Sequence, residues 1–215
     1  IRRRTKLQHT GRVVAESLDA AELVNPHGRN RRAGRWLADA AQRVEKHGAQ
    51  GVLLCSSSLH VHARVVRDAV DVPVLHIAMA TAEKLRRVRL GPPALIGLDR
   101  PSGEERIWQA VLAKGGIKET VLPSDLDGAF VQDQLKRGLN LESATEEIRA
   151  AFTRLSVDLK HAGARVIVLT RPELAFGLRE EDSVLPTLCA VHAHCELAAR
   201  FALECAREQR RVRCS

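Results

Sequence analysis

The chain has 215 residues, an ordinary hydrophobic fraction of 45% and a formal net charge of +8. No apolar run approaches the roughly 18 residues of a membrane-spanning helix, so the composition is that of a globular protein and excludes a membrane span. Basic residues form clusters, but aromatic residues make up only 3% and no nucleic-acid recognition motif appears. We therefore expect a solvated basic surface, and a nucleic-acid partner is disfavoured.

The cysteines are odd in number and lack the spacing of a small disulfide scaffold. Reduced thiols in a cytoplasmic protein are therefore expected. The basic start of the chain has no apolar segment behind it, unlike a signal peptide, and the missing initiator methionine suggests a trimmed chain. The cysteines are Cys55, Cys189, Cys195, Cys205 and Cys214.

Helices and strands are predicted to alternate along the first half. Apolar positions recur at helical spacing over 32–47, and Gly48 follows as a stop, which predicts a helix. Gly51 then opens an apolar run through Leu54 that is typical of a buried strand in a parallel sheet. The other elements predicted here are a short strand at 13–14, a turn at 25–28, a helix at 63–70, a strand at 72–77 and a helix at 81–88.

The breaker Gly91-Pro-Pro93 is the candidate domain boundary. A second series of strands and helices follows it. Strands are predicted at 94–98, 120–122, 165–170 and, weakly, 184–185. Helices are predicted at 104–114, 129–137, 144–161 and 189–208.

The two halves repeat one pattern. Lys46-His-Gly-Ala-Gln-Gly-Val-Leu-Leu-Cys55 matches Lys160-His-Ala-Gly-Ala-Arg-Val-Ile-Val-Leu169 in the order helix end, glycine, apolar strand. Two such α/β halves would bring both strand ends to one cleft between them, where small-molecule sites usually lie. The predicted fold is α/β, with a first half at 1–92 completed by the terminal helix 189–215, and a second half at 93–188.

Cys55 lies at the predicted carboxyl end of a strand and is followed by three serines. Ligands bind at that end of the strands in open α/β sheets. A thiol beside hydroxyls and the free N–H groups of a starting helix can act as a base or nucleophile next to an anion site. A free cysteine is also commonly a small buried hydrophobe, so both interpretations stay open.

Four stretches together resemble the aspartate/glutamate racemase superfamily. Its members are cofactor-independent enzymes with two catalytic cysteines. They occur in the family's order and spacing over nearly the whole chain. The stretches are Gly51-Val-Leu-Leu-Cys-Ser-Ser-Ser-Leu-His60, Pro73-Val-Leu-His-Ile-Ala-Met-Ala-Thr81, Gly163-Ala-Arg-Val-Ile-Val-Leu-Thr-Arg-Pro-Glu-Leu174 and Ala190-Val-His-Ala193.

The resemblance implies two pseudo-symmetric α/β halves with mostly parallel sheets, usually in a dimer, with the site in the cleft between them. Each half supplies one cysteine. One thiolate removes the α-proton of an amino acid, and the opposed thiol returns a proton on the other face. The substrate carboxylate must be held by donors that also stabilise the enolate-like charge.

The resemblance makes Cys55 the catalytic cysteine of the first half. Ser57 and Ser58 take the family's Asn and Thr positions, which contact the substrate carboxylate, and a serine hydroxyl still donates there. Other site positions have changed, including Met79 in place of an Asp. The substrate-binding residues carried over are Ser57, Ser58, Thr81, Glu173 and His192.

The second catalytic cysteine is missing. The family has Gly-Cys-Thr-Glu after its second strand, whereas this chain has Thr170-Arg-Pro-Glu173, so Arg171 falls on the cysteine. A guanidinium stays protonated at any working pH and cannot act as a base, so two-base racemisation is expected to be impaired. Arg171 instead suits a carboxylate ligand, unless it extends into solvent.

Three functions stay open on this evidence. The first is a racemase-like isomerase acting on a small amino acid or carboxylate. The second is a carboxylate-binding member without catalysis, and the third is a one-base isomerase or lyase that uses Cys55. The family's first strand and Gly-rich turn would precede Ile1, so the chain is interpreted as an N-terminally shortened member.

A metal site is the remaining alternative. Cys189, His192 and Cys195 recur at i, i+3 and i+6 on the predicted terminal helix. Zinc sites usually join such ligands to a distant second pair, and no clear second pair is present in the sequence. We therefore expect neither a metal nor a cofactor, in a cytoplasmic homodimer.

Overall fold

The computed structural model describes residues 12–19 and 31–213, without the side chains of residues 31 and 209–213. The chain divides into two compact units, Ile1–His76 with His194–Ser215, and Ile77–Ala193. Helices alternate with parallel strands in two sheets, so the predicted α/β class is confirmed. The predicted turn at 25–28 lies outside the described residues.

The first unit contains a two-stranded parallel sheet. Strand β1 pairs with β2 in the register Val52↔Val74 and Leu53↔Leu75. The carboxylate of Glu45 accepts hydrogen bonds from two backbone N–H groups just before β2, which anchors the start of that strand. The elements of this unit are helix α1 (Arg31–Lys46), β1 (Val52–Leu53), a 3₁₀ helix (Ser58–His62), helix α2 (Ala63–Arg67) and β2 (Val74–Leu75).

The core of the first unit joins α1 and α2 to the sheet. Its buried members come from those helices, from β1 and from Leu54 just after β1, and they include Leu37, Val52 and Val66. A Cβ atom at Gly51 would lie 2.6 Å from Cε1 of Phe201 on the terminal helix. Glycine is therefore required where the strand begins, because a backbone packed this closely against an aromatic ring leaves no space for a side chain.

The second unit is built on a three-stranded parallel sheet in the order β3-β4-β5. Val121 adds an isolated parallel bridge to Ala94 beside β3. The terminal helix α8 begins in this unit and continues in the first. The elements are α3 (Ile77–Val88), β3 (Pro93–Ile96), α4 (Glu104–Lys114), α5 (Asp125–Lys136), α6 (Glu146–His161), β4 (Val166–Leu169), α7 (Leu174–Gly177), a 3₁₀ helix (Glu180–Asp182), β5 (Thr187–Cys189) and α8 (Ala190–Arg213).

Both faces of this sheet are buried, which explains why its strands are continuous apolar runs. Successive side chains of a strand point to opposite faces. In β4, Ile167 and Leu169 belong to the core cluster that includes residues of α5 and α6. Val166 and Val168 belong to the cluster that includes residues of α3 and α4. Such two-sided burial is typical of parallel sheets covered by helices.

The helices of this unit begin where their capping residues lie. The Ser124 hydroxyl accepts from the N–H of Asp127 ahead of α5, and the Thr145 hydroxyl accepts from the N–H of Ile148 ahead of α6. Such caps satisfy backbone donors that have no partner inside the helix. The helices predicted at 32–47, 104–114 and 144–161 are confirmed to within two residues at each end.

Several predicted elements are wrong. Residues 12–19 have no regular structure, so the strand at 13–14 is absent, and 120–122 contributes only the isolated bridge at Val121. The weak strand at 184–185 is a turn in which the Ser183 hydroxyl donates to the Leu185 carbonyl, and pairing with β4 begins only after Pro186. The helix predicted at 63–70 ends at Arg67.

Candidate functional site

Cys55 lies in a polar turn at the carboxyl end of β1. It is the second residue after the strand, and its free thiol is exposed, so it is not a buried hydrophobe. The hydroxyl oxygens of Ser56 and Ser58 lie 3.1 Å apart and share a hydrogen bond, whereas Ser57 is 7% exposed. The turn therefore presents an accessible thiol with hydroxyl groups beside it in the chain.

The anion site predicted at the start of a helix after Cys55 has a different local structure. The backbone after Cys55 enters a five-residue 3₁₀ helix, Ser58–His62, and then the five-residue helix α2. A helix dipole grows from aligned peptide groups, and two short segments align few of them. Anion binding near Cys55 would therefore depend on the serine hydroxyls and turn N–H groups more than on a helix dipole.

Three histidines pack together in the same unit. The ring of His60 lies 4.6 Å from that of His76 and 5.2 Å from that of His194, measured between centroids. Nε2 of His60 lies 3.2 Å from the carbonyl oxygen of Leu54, the residue before Cys55. Nε2 of His194 lies 2.7 Å from the carbonyl oxygen of Leu75 in β2. We call His60, His76 and His194 the histidine cluster.

The histidine cluster is neutral at ordinary pH. Burial, together with the neighbouring imidazoles of His76 and His194, lowers the pKa of His60 to about 3. Burial also lowers the pKa of His76 to about 4, with the positive charge of Arg67 acting in the same direction. The pKa of His194 is lowered by burial as well. Sequence reasoning missed this cluster, because its members are far apart in the chain.

Arg171 lies in the second unit, in the corresponding position after a strand. It is the second residue after β4, as Cys55 is the second residue after β1. Its Nε donates to the Gly97 carbonyl at 2.9 Å, and its Nη2 donates to Oε2 of Glu104 at 3.1 Å. The side chain is only 22% exposed, so the alternative that it extends into solvent is wrong.

Glu104 is the functional candidate that sequence reasoning missed. It is the first residue of α4, and its side chain is 1% exposed. Its Oε2 also accepts from the N–H of Asp99 at 3.0 Å, while Oε1 is buried without a hydrogen-bond partner among the described residues. Burial raises the pKa of Glu104, and the positive charge of Arg171 opposes that change. The sequence signal is only that of a carboxylate in the first turn of a helix.

The turn that carries Arg171 is packed tightly against the end of β3. Gly97 has a φ of 94°, and a Cβ there would lie 2.7 Å from Cδ1 of Leu174 and 2.9 Å from Oγ1 of Thr170. The Thr170 hydroxyl donates to the Ile96 carbonyl at 2.8 Å. These contacts restrain the backbone around Arg171, so its guanidinium extends from a well-fixed part of the chain.

The other predicted site residues of the second unit lie in different settings. Thr81 is fully buried in α3, where its hydroxyl donates to the Ile77 carbonyl at 2.9 Å. Glu173 is exposed in the same turn as Arg171 and precedes α7. His192 is exposed near the start of α8 and lines a groove of about 210 Å³ with Cys189 and Lys84. The structure thus brings Arg171 and Glu173 into one turn, and their binding roles stay predictions.

Within the described residues, no group of three or more histidine, cysteine, aspartate or glutamate side chains is arranged to hold a metal ion. The trio Cys189, His192 and Cys195 therefore forms no such group. None of the described helices combines the length and the apolar character needed to cross a membrane.

Comparison with solved structures shows the same fold in racemases. The chain has a TM-score of 0.85 and 26% identity to a candidate Asp/Glu racemase from Yersinia pestis, covering 94% of this chain and 88% of that one. An aspartate racemase homologue from Pyrococcus horikoshii OT3 has a TM-score of 0.68 and 19% identity, covering 79% of this chain and 74% of that one.

An arylmalonate decarboxylase shares the fold more distantly, with a TM-score of 0.50 and 21% identity, covering 82% of this chain and 79% of its own. The family model described as Asp/Glu/Hydantoin racemase matches residues 1–198. This match extends over most of the chain and agrees with the stretches around Cys55 and Arg171. The chain therefore belongs to the Asp/Glu/Hydantoin racemase family.

Proposed function

We propose that this protein acts at the α-carbon of a small amino acid or related carboxylate, with Cys55 as its only thiol base. Two-base racemisation is impaired in this proposal because Arg171 stands where the resemblance places the second cysteine. The observation that carries the proposal is local. Cys55 and Arg171 are each the second residue after a parallel strand, and a thiol can act as a base whereas a guanidinium cannot.

The proposed chemical step uses one proton and one face of the substrate. The Cys55 thiolate removes the α-proton, the C–H electron pair moves into the enolate-like carboxylate, and the thiolate becomes a thiol. The thiol exchanges its proton with solvent and returns it to the same carbon from the same side. Without an acid on the opposite face, the α-hydrogen exchanges while the configuration is retained.

Arg171 is proposed to hold a substrate carboxylate. Among the described residues its Nε and Nη2 have the protein partners given above, which leaves Nη1 available to a ligand. Glu104 balances the guanidinium charge and keeps it in place, so a ligand meets a preorganised donor. Ser57 and Ser58, in the turn after Cys55, are also proposed to bind substrate.

The test is α-proton exchange in D₂O over a panel of small amino acids and carboxylates, followed by mass spectrometry and chiral chromatography. We expect deuterium incorporation without inversion, and its loss in Cys55→Ala. Cys195→Ala, which removes another exposed thiol, is the matched control and should leave exchange unchanged. Exchange that persists in Cys55→Ala, or inversion as fast as exchange, would overturn the proposal.

A carboxylate-binding protein without turnover is the second candidate. The observation that favours it is the Arg171–Glu104 pair, because a guanidinium preorganised for carboxylates is a binding device in itself. Calorimetric binding of a carboxylate that shows neither exchange nor CO₂ release would support this candidate. Release of CO₂ from an α-carboxylated acid, with the proton returned by Cys55, would indicate the one-base lyase alternative.

The predicted domain division, the homodimer and the cytoplasmic location belong to the same proposal. The cysteines of the described residues are free, which agrees with a reducing compartment. Light scattering coupled to size-exclusion chromatography would measure the oligomeric state directly. A monomer at micromolar concentration would contradict the homodimer.

A further inference from the structure

The turn that carries Cys55 receives little support from its sheet. Strand β1 is only two residues long, and its last pair is Leu53↔Leu75. Beyond that pair, the carbonyl of Leu54 accepts from the His60 side chain. The carbonyl of Leu75, the last residue of β2, accepts from His194. Two imidazoles therefore hold carbonyl groups at the carboxyl ends of β1 and β2.

The hydrogen bonds assign the tautomer of both rings. A carbonyl oxygen has no hydrogen to donate, so Nε2 must carry the proton in His60 and in His194. Nδ1 of His60 then has no proton in the neutral ring, and it is buried without a hydrogen-bond partner among the described residues. Protonating this ring would place an N–H group where the structure supplies no acceptor, which is unfavourable in a buried site.

The surroundings of the ring oppose the same protonation. His76 at the end of β2 and His194 on α8 face His60 directly, and Arg67 on α2 adds a permanent positive charge near His76. His62, on the same 3₁₀ helix as His60, is the other titratable ring of this segment. A charge on any one imidazole would repel the others, so the first protonation is expected to loosen the whole cluster.

We propose that His60 and His194 are positioning residues for Cys55, which hold its turn in place as neutral imidazoles and release it when the histidine cluster is protonated. This inference rests on the proposed role of Cys55 and names the groups that control its geometry. The turn is expected to be released only in acid, because burial lowers the pKa of all three rings from about 6.5. The folded state therefore favours the neutral form, and acid opposes it.

The first measurement follows the rings themselves. Nitrogen NMR of the full chain should show His60 as the Nε2–H tautomer and unprotonated through about pH 5, well below an exposed histidine. An Nδ1–H tautomer for His60, or titration near the ordinary histidine value, would overturn the inference whether or not the protein is an enzyme.

The second measurement follows the thiol. The rate of Cys55 alkylation relative to that of Cys195 cancels much of the shared pH dependence of thiol chemistry. We expect this ratio to change several-fold as the pH falls from about 7 to about 3, the pKa of His60. In His60→Gln, whose amide still donates but does not titrate, the ratio should change less, because only His76 and His194 of the cluster can still be protonated. An unchanged ratio in the natural chain over this range would contradict the proposed release.

The variants separate positioning from simple folding. His60→Leu should lower the turnover number for α-proton exchange at least about tenfold, because a displaced base loses its alignment. His60→Gln should recover most of that loss at neutral pH. Its turnover number should also fall less in acid than that of the natural chain. His47→Gln, at an exposed ring outside the cluster, is the matched control.

These results distinguish the two proposals. If no substrate exchanges in the natural chain, the proposed function fails, and the NMR and alkylation measurements still decide the positioning role. If exchange occurs and His60→Leu retains full activity with an unchanged acid limb, the positioning role fails while the proposed function stands.

Discussion

Nη2 of Arg171 donates to Oε2 of Glu104 at 3.1 Å, so a half-buried guanidinium is held against a carboxylate that is 1% exposed. A carboxylate removed from water to this extent is unfavourable unless it is paired. The pair therefore contributes to the stability of the fold as well as to a candidate site. A mostly buried arginine at position 171 needs an acidic partner, and Glu104 in the first turn of α4 is that partner.

Arg171→Leu is expected to destabilise the fold because it leaves the Glu104 carboxylate buried and without its ionic partner. The expected loss is about 3 kcal/mol in the free energy of unfolding at pH 7.5, measured by urea denaturation. Arg171→Leu combined with Glu104→Gln should recover most of the loss, since the neutral amide needs no counter-charge. Arg106→Leu removes an exposed arginine from α4 and serves as the control.

The same variants should depend on pH in a defined direction. Burial raises the pKa of Glu104 above its unfolded value, so the folded state binds the proton more tightly. The stability from this proton is fully present below about pH 4.5 and is lost as the pH rises through the folded pKa. The deficit of Arg171→Leu should therefore be smaller at pH 5 than at pH 7.5. A deficit equal to that of Arg106→Leu at both values would contradict a buried, coupled pair.

Restoring a second thiol should restore part of the two-base chemistry. Arg171→Cys combined with Glu104→Gln replaces the guanidinium with a thiol and avoids an uncompensated carboxylate. We expect inversion to accompany deuterium exchange at the substrate α-carbon, because a thiol at position 171 can return the proton on the other face, although loss of the guanidinium should weaken carboxylate binding and raise the KM. Coupled chiral and mass analysis measures both. No change in either quantity would mean that position 171 does not face the substrate.

The thiols should differ in reactivity. Alkylation mapping by mass spectrometry is expected to label Cys55 faster than Cys205, because Cys55 is exposed whereas burial and the negative charge of Glu208 raise the pKa of Cys205. A raised pKa lowers the thiolate fraction, and the thiolate is the form that reacts. Cys195 is the exposed comparison thiol. Rapid labelling of Cys205 with Cys55 unmodified would contradict this order and the accessible turn.

Most of the framework follows from local patterns. The amphipathic spacing of α1, the apolar run of β4 and the helix-stopping glycines predict their elements because each signal depends on residues a few positions apart. A local pattern gave the wrong prediction at 184–185, where apolar residues suggested a strand but the Ser183 turn delays pairing until after Pro186. A strand forms only where a partner strand pairs with it, and neighbouring residues in the sequence do not show where that partner lies.

By itself, the sequence determined the α/β class, the family and the place of Cys55 and Arg171 after their strands, because those features lie within short contiguous stretches. Only the tertiary structure decided what surrounds them. Glu104 is 67 positions from Arg171, and His194 is 119 positions from Leu75, so no periodicity or motif connects the members of either pair. Burial brings them into contact and shifts their pKa values, and burial is a property of the folded chain.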